Sequence, residues 1–214
     1  MREVMGRFLT TKKTLAALAG CVALLSASPA RANLVTNGSF EGGFPGGFTT
    51  IAGGSSAITG WTVTGDSVDW INTYWTPSNG AFSLDLDGNG QGGVTTSITT
   101  TIGQSYFLTF DMSGNPDGPP PFKTLNLTVG GNAPQSFVFL GGNDKVNMNW
   151  FTFGYSFTAT SLSTTISFAS QDPGPFGPAL DNVSVEAVPE PGTLALLGGG
   201  LVALARRRRS QQKS

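Results

Sequence analysis

The stretch Tyr106-Phe107-Leu108-Thr109-Phe110-Asp111-Met112 decides the fold. Tyr106, Leu108, Phe110 and Met112 fall on alternate positions with Thr109 and Asp111 between them, and Leu125, Leu127 and Val129 alternate in the same way with Asn126 and Thr128. A period of two is the signature of a strand, whose successive side chains point to opposite faces. One face of each strand is therefore core and the other wet.

Working outward, short segments of strand chemistry recur at Trp61 to Thr64, Val68 to Ile71, Phe82 to Leu86, Val94 to Thr99, Phe137 to Phe139, Phe151 to Phe157, Ile166 to Phe168 and Leu180 to Val185. Turn clusters separate them, such as Asn115-Pro116-Asp117-Gly118-Pro119-Pro120-Pro121 and Gly141-Gly142-Asn143-Asp144. Ten or so strands without a fixed-period repeat predict one all-β domain over 33–187, a jelly-roll β-sandwich of two antiparallel sheets. A signal helix over 1–32 and a short membrane helix within 188–214 are expected to flank it.

The whole chain carries a formal charge of −1, but the charge is unevenly placed. Between Asn33 and Val188, Lys123 and Lys145 face eleven carboxylates, a net of −9. Nucleic acid is excluded as a partner, because phosphate binding needs clustered Lys and Arg. Histidine is absent and the lone cysteine, Cys21, lies in the leader, so the domain holds no disulfide, no Cys or His zinc site and no Ser-His-Asp group. Carboxylate chemistry is the one enzymatic route left, with Asp85 and Asp87 or Asp66 and Asp69 as an acid and base pair of glycosidase type. Such pairs must face each other across a cleft. The chain is expected to be non-catalytic.

Arg2, Arg7, Lys12 and Lys13 form a basic start, Leu15 to Leu25 an apolar run, and Ala30-Arg31-Ala32 a small-residue cleavage site. This is a secretory signal peptide, with cleavage by signal peptidase expected before Asn33. Leu18-Ala19-Gly20-Cys21 also resembles a lipobox, which would make Cys21 a lipidated first residue; the apolar run past Cys21 argues for the former.

At the other end, Pro189-Glu190-Pro191 stops the preceding strand, since neither proline donates a ladder hydrogen bond. The apolar run Thr193 to Ala205 rises only about 20 Å at roughly 1.5 Å per residue, short of a hydrocarbon core of about 30 Å. Arg206, Arg207, Arg208 and Arg209 hold its distal edge on the cytoplasmic side. Break, short span and arginines in this order resemble the PEP-CTERM sorting signal of Gram-negative bacteria. That resemblance implies processing by exosortase, transient anchoring in the inner membrane, and delivery to the cell surface or extracellular matrix.

A second resemblance runs through the domain in order. Leu34-Val35-Thr36-Asn37-Gly38-Ser39-Phe40-Glu41, Ile58-Thr59-Gly60-Trp61, Ser83-Leu84-Asp85-Leu86, Phe110 to Asp117 and Pro178 to Val185 are similar to the choice-of-anchor C family, related to DUF642 proteins. It implies a galactose-binding-like jelly roll, a fold frequent among carbohydrate-binding modules, without fixing a ligand.

Asp85-Leu86-Asp87-Gly88-Asn89-Gly90 matches the first half of a calcium loop, but its twelfth place is Thr96 and no helices flank it, so a strand end entering a turn is the simpler reading. Asp181 shares strand parity with Val183 and Val185, which would put its carboxylate on the apolar face and in need of a partner. The resemblance to carbohydrate-binding jelly rolls implies a structural calcium between Glu41 and Asp181; acceptance of backbone N–H bonds by Asp181 at a bulge is the equal alternative. For a sugar, stacking rings with nearby amides are the usual platform. Asp69-Trp70-Ile71-Asn72-Thr73-Tyr74-Trp75 is the densest such set, giving Trp70, Asn72, Tyr74 and Trp75 as candidate ligand residues. Trp61 is expected in the core, and Trp150 either joins that surface or begins the next strand. The expected function is an exported module associated with extracellular polysaccharide, against a purely structural surface protein.

Overall fold

A computed structural model describes residues 32–189, together with 198–201 and 204. The leader through Arg31, Glu190, Pro191 and Arg206 to Arg209 lie outside the described residues. Gly198 to Leu201 and Leu204 are helical. Among the described residues no helix is long and apolar enough to cross a membrane.

Eleven strands form in chain order: β1 (Phe48–Ala52), β2 (Thr62–Gly65), β3 (Ser67–Ile71), β4 (Ser83–Asp85), β5 (Gly92–Thr99), β6 (Ser105–Gly114), β7 (Lys123–Val129), β8 (Gln135–Phe139), β9 (Phe151–Thr158), β10 (Ser163–Ser170) and β11 (Pro178–Ala187). The first sheet runs β1-β3-β4-β11-β6-β9 and the second β2-β5-β10-β7-β8, with every pairing antiparallel. All ten expected segments are strands. The eleventh, β1, escaped the sequence because it is an edge strand with only Ile51 buried and so shows no alternation.

The core lies between the sheets and obeys the period-two pattern. Leu108, Phe110 and Met112 of β6 point inward, as do Leu125, Leu127 and Val129 of β7 and Ile166 and Phe168 of β10. Phe110 is the hub, with ring centroids of Phe137, Phe153 and Phe168 at 5.1, 5.7 and 5.0 Å.

The segment Leu34 to Glu41 closes one end of the sandwich through a turn in which Asn37 and Phe40 take φ of 53° and 57°. Such a turn strands carbonyls away from any ladder, and buried carbonyls need donors. Two indoles supply them: Trp61 Nε1 donates to the Asn37 carbonyl at 3.0 Å and Trp70 Nε1 to the Phe40 carbonyl at 2.7 Å. Trp61 is core, as its sequence context indicates, and Trp70 joins it at 4% exposure.

The parity of Asp181 departs from the sequence expectation. Leu180, Val183 and Val185 all face the core, which two-residue alternation cannot achieve from Leu180 to Val183. The register shifts between Asp181 and Ser184, with Asn182 at φ 52°. This bulge turns Asp181 to the outer face of the first sheet, opposite Asp111 of β6.

Phe110→Ala removes the hub ring from a site with no slack, and is expected to lower unfolding free energy by about 3–5 kcal/mol. Urea unfolding checks this; a loss below about 1 kcal/mol would mean the core repacks around a different centre.

Candidate functional site

The outer face of the first sheet carries Asp69 and Ile71 (β3), Ser83 and Asp85 (β4), Ala179 and Asp181 (β11), and Asp111 and Ser113 (β6). Two loops lie over it: the β3–β4 connection, residues 72–82, and the β8–β9 connection, residues 140–150. Their Trp75 and Met148 pack on Ile71 and Ala179, a satellite core with Tyr74 and Trp150 at its margin.

Carboxylates fasten the first loop. Asp181 Oδ2 accepts the N–H groups of Ser78 and Asn79, each at 2.8 Å, and its Oδ1 accepts that of Asn182 at 2.6 Å. Glu41 Oε1 accepts the N–H groups of Ala81 and Phe82 at 2.8 and 3.2 Å. Gly80 sits between them with φ 67°, and a Cβ there would come within 2.0 Å of Glu41 Oε1. Asp111 accepts the hydroxyls of Ser78 and Thr152 and the Asn182 amide.

The sequence brings Glu41 and Asp181 to one loop, as a shared calcium would require, but the groups facing them are N–H donors. That donor set does not fit a cation, which needs a shell of oxygens. Among the described residues no three acidic side chains gather closely enough to hold a metal ion.

Asp85 has a parallel role at the other end of the face. It is fully buried, with Oδ1 accepting the N–H groups of Asp87 and Gly177, both at 3.0 Å, and Oδ2 accepting Asn115 Nδ2 at 2.6 Å. Asp87 forms a bridge to Gln91 across the following turn, and its Oδ2 is buried without a hydrogen-bond partner. Lys123, 2% exposed, donates to the carbonyls of Gly118 and Phe176. These bonds hold Asn115, Phe176 and Gly177 in place.

Between those two fastened regions is a cavity of about 220 Å³. Phe48 of β1, Tyr74 and Phe176 present rings to it, and Asp69, Asn89 and Asp117 present polar groups. Phe48 is 47% exposed and meets Tyr74 edge-on at 5.1 Å. Asp69 Oδ1 accepts the Thr50 hydroxyl at 2.6 Å. Among the described residues, neither Asp69 Oδ2 nor the Asn89 side-chain amide has a hydrogen-bond partner. Burial pushes the Asp69 carboxyl up, with the Thr50 bond opposing.

Of the four ligand residues expected from sequence, Tyr74 and Trp75 line the cavity, and of the two Tyr74 is the one that keeps its ring partly exposed. Trp70 and Trp75 are 4% and 3% exposed, and their indole N–H groups are spent on the Phe40 carbonyl and on Ser83 Oγ. Asn72 braces the Gly46–Gly47 turn and the Ala81 carbonyl instead. Trp150 donates to the Thr76 carbonyl at 3.0 Å and supports the loop from behind. The alternative acid pairs are engaged structurally: Asp85 as above, and Asp66 with the Ser67 hydroxyl. Sequence reasoning missed Phe48, which opens the edge strand β1, and Asn89, Asn115, Asp117 and Phe176, which stand in glycine- and proline-rich turns where the turn chemistry was the stronger signal. The outer face of the second sheet has a hollow of about 400 Å³ walled by Thr62, Thr95, Ser97 and Thr165, without an exposed ring.

The domain matches the family model described as "Protein of unknown function (DUF642)" over residues 33–186, and the PEP-CTERM protein-sorting motif matches residues 187–209. Halomucin of Haloquadratum walsbyi (strain DSM 16790 / HBSQ001) is 30% identical over 188 residues, 81% of this chain but 2% of halomucin's length. Among solved structures, TmCBM61 in complex with beta-1,4-galactotriose is similar over 73% of this chain and 99% of its own, with a TM-score of 0.51 at 13% identity. A family 16 carbohydrate-binding module matches 72% of this chain and 99% of its own at a TM-score of 0.49 and 16% identity. The former likeness establishes the sandwich fold; the galactotriose belongs to that protein.

Burial raises the carboxyls of Asp181, to about 7, and of Asp87, to about 6, and raises Asp85 as well. A carboxyl that keeps its proton longer when folded makes the folded chain bind more protons than the unfolded one between about pH 3.8 and about pH 7, so stability falls as pH rises through that window. The melting temperature is expected to be higher at pH 5 than at pH 8. Asp181→Asn, which keeps an oxygen for Ser78 and Asn79, should flatten the slope; a melting temperature that climbs toward pH 8 would contradict the assigned burial.

Proposed function

The chain belongs to the DUF642 family and carries a PEP-CTERM sorting motif, and from that premise we propose that it is an exported, surface-sorted, non-catalytic module that binds carbohydrate through the outer-face cavity of its first sheet. The observation that carries the reading is the cavity itself. Rings of Phe48, Tyr74 and Phe176 line it together with Asp69, whose Oδ2 has no hydrogen-bond partner among the described residues, and with the exposed amide of Asn89. Sugars are recognised by that combination, because the CH face of a pyranose stacks on a ring while its hydroxyls bond to carboxylates and amides.

The use of Asp85 and Asp87 within the fold supports a non-catalytic role. A glycosidase needs two carboxyl groups facing substrate, about 5–9.5 Å apart across a cleft. Here Asp85 and Asp87 are wholly buried, and Asp85 spends both oxygens on the fold. The tail supports the rest of the proposal: signal peptidase removes the leader, a short helix holds the chain at the inner membrane of a Gram-negative cell, and exosortase then passes the domain to the surface or its polysaccharide matrix.

A glycan array probed with the exported protein tests this. Binding to a neutral polysaccharide is expected, weakened about tenfold by Phe48→Ala with little change in melting temperature, in line with a lost ring contact of about 0.5–1.5 kcal/mol. Trp75→Ala, by contrast, should act through stability. Absence of binding to neutral and acidic polysaccharides alike would favour a purely structural surface protein, and release of reducing ends would make it an enzyme.

A further inference from the structure

We infer that the outer-face cavity is a single-residue subsite for a neutral, hydroxyl-rich pyranose at the end of a glycan chain, and that it excludes uronic acids. The inference rests on the carbohydrate-binding reading above and goes beyond it in naming the sugar class and the mode of approach.

Size and walls set the number of units. About 220 Å³ is below the roughly 300–1,000 Å³ of drug-sized sites, room for one ring and not for a chain segment. A neighbouring hollow of about 670 Å³ lies beyond Asp117, which lines both. The boundary between them is built: Tyr74 Oη donates to Asp117 Oδ2 at 2.5 Å, and Lys145 Nζ stands 3.0 Å from Asp117 Oδ1 and 3.9 Å from the centre of the Tyr74 ring. On the opposite side, Phe176 is fixed through its own carbonyl by buried Lys123. A glycan crossing the cavity sideways meets these walls, whereas a chain end enters without displacing them.

Charge sets the class. The titratable groups lining the cavity are Asp69, Asp117 and Tyr74. Among the described residues the cations are Lys145, which is committed to Asp117 and covers one face of Tyr74, and Lys123, which is occupied by two carbonyls behind the wall. A uronate would bring its carboxylate to an open Asp69 oxygen with no free cation to receive it, and like charges at close range repel strongly outside bulk water. Hydroxyls, in contrast, donate to Asp69 Oδ2 and exchange both kinds of bond with the Asn89 amide.

NMR titration of the full exported chain at neutral pH tests the proposal with methyl glucopyranoside, galactopyranoside and mannopyranoside, the matching methyl uronates, and neutral trisaccharides of the same sugars. At least one neutral methyl glycoside is expected to bind, with its uronate at least tenfold weaker and its trisaccharide within about threefold. Asp69→Asn, whose oxygen still accepts the Thr50 hydroxyl, should narrow the gap between neutral sugar and uronate at least threefold. A trisaccharide tenfold tighter than the monosaccharide, or a uronate equal to its neutral partner, overturns the inference. So does binding of polysaccharide without any monosaccharide, although carbohydrate binding then stands. Failure of every saccharide to bind overturns the functional reading itself.

Discussion

Asp181 is a buried carboxylate whose hydrogen-bond donors are backbone N–H groups, and the functional face depends on that arrangement. A buried charge or polar oxygen left unpaired is costly, so the chain must bring donors to it. The bulge at Asn182 turns the carboxylate out of the core, and the loop of residues 72–82 folds back to meet it. Once Ser78 and Asn79 are held there, and Ala81 and Phe82 are held by Glu41, the path of the loop is fixed at one end. Trp75 then seats on Ile71, Met148 and Ala179, and Tyr74 is left at the rim with its ring toward the cavity.

The same device recurs at Asp85, which gathers Asn115 and Gly177 and so positions the opposite wall. In both places an acid is used as a backbone acceptor within the fold. This accounts for a domain with a net charge of −9 that forms, among the described residues, a single salt bridge, Lys145 to Asp117. Most of the acids are not surface charges awaiting cations, and burial raises the pKa values of Asp69, Asp85 and Asp181. Asp69 is different in kind, because its Oδ2 makes no hydrogen bond among the described residues.

Alternation in Tyr106 to Met112 and Leu125 to Val129 made the sandwich legible, since core and solvent faces impose a period of two on any strand between them. The site was far less legible. Its rings come from Phe48, Tyr74 and Phe176, and its polar groups from Asp69, Asn89 and Asp117, so only the fold assembles it. Local aromatic density at Trp70, Tyr74 and Trp75 indicated the right loop, but two of the three rings point inward, where indole N–H groups satisfy the Phe40 carbonyl and the Ser83 hydroxyl. The inward or outward sense of Asp181 was equally hidden, because a one-residue bulge reverses parity without any change in composition.

The central claim is that the cavity between Phe48, Tyr74 and Phe176 is where this domain meets its sugar. A crystal structure of the exported domain soaked with a neutral hexose tests it most directly. The account predicts density for one pyranose ring in that cavity, with hydroxyls within bonding distance of Asp69 and Asn89. Density confined to the hydroxyl-lined face of Thr62, Thr95, Ser97 and Thr165, with the cavity holding only water, would contradict it.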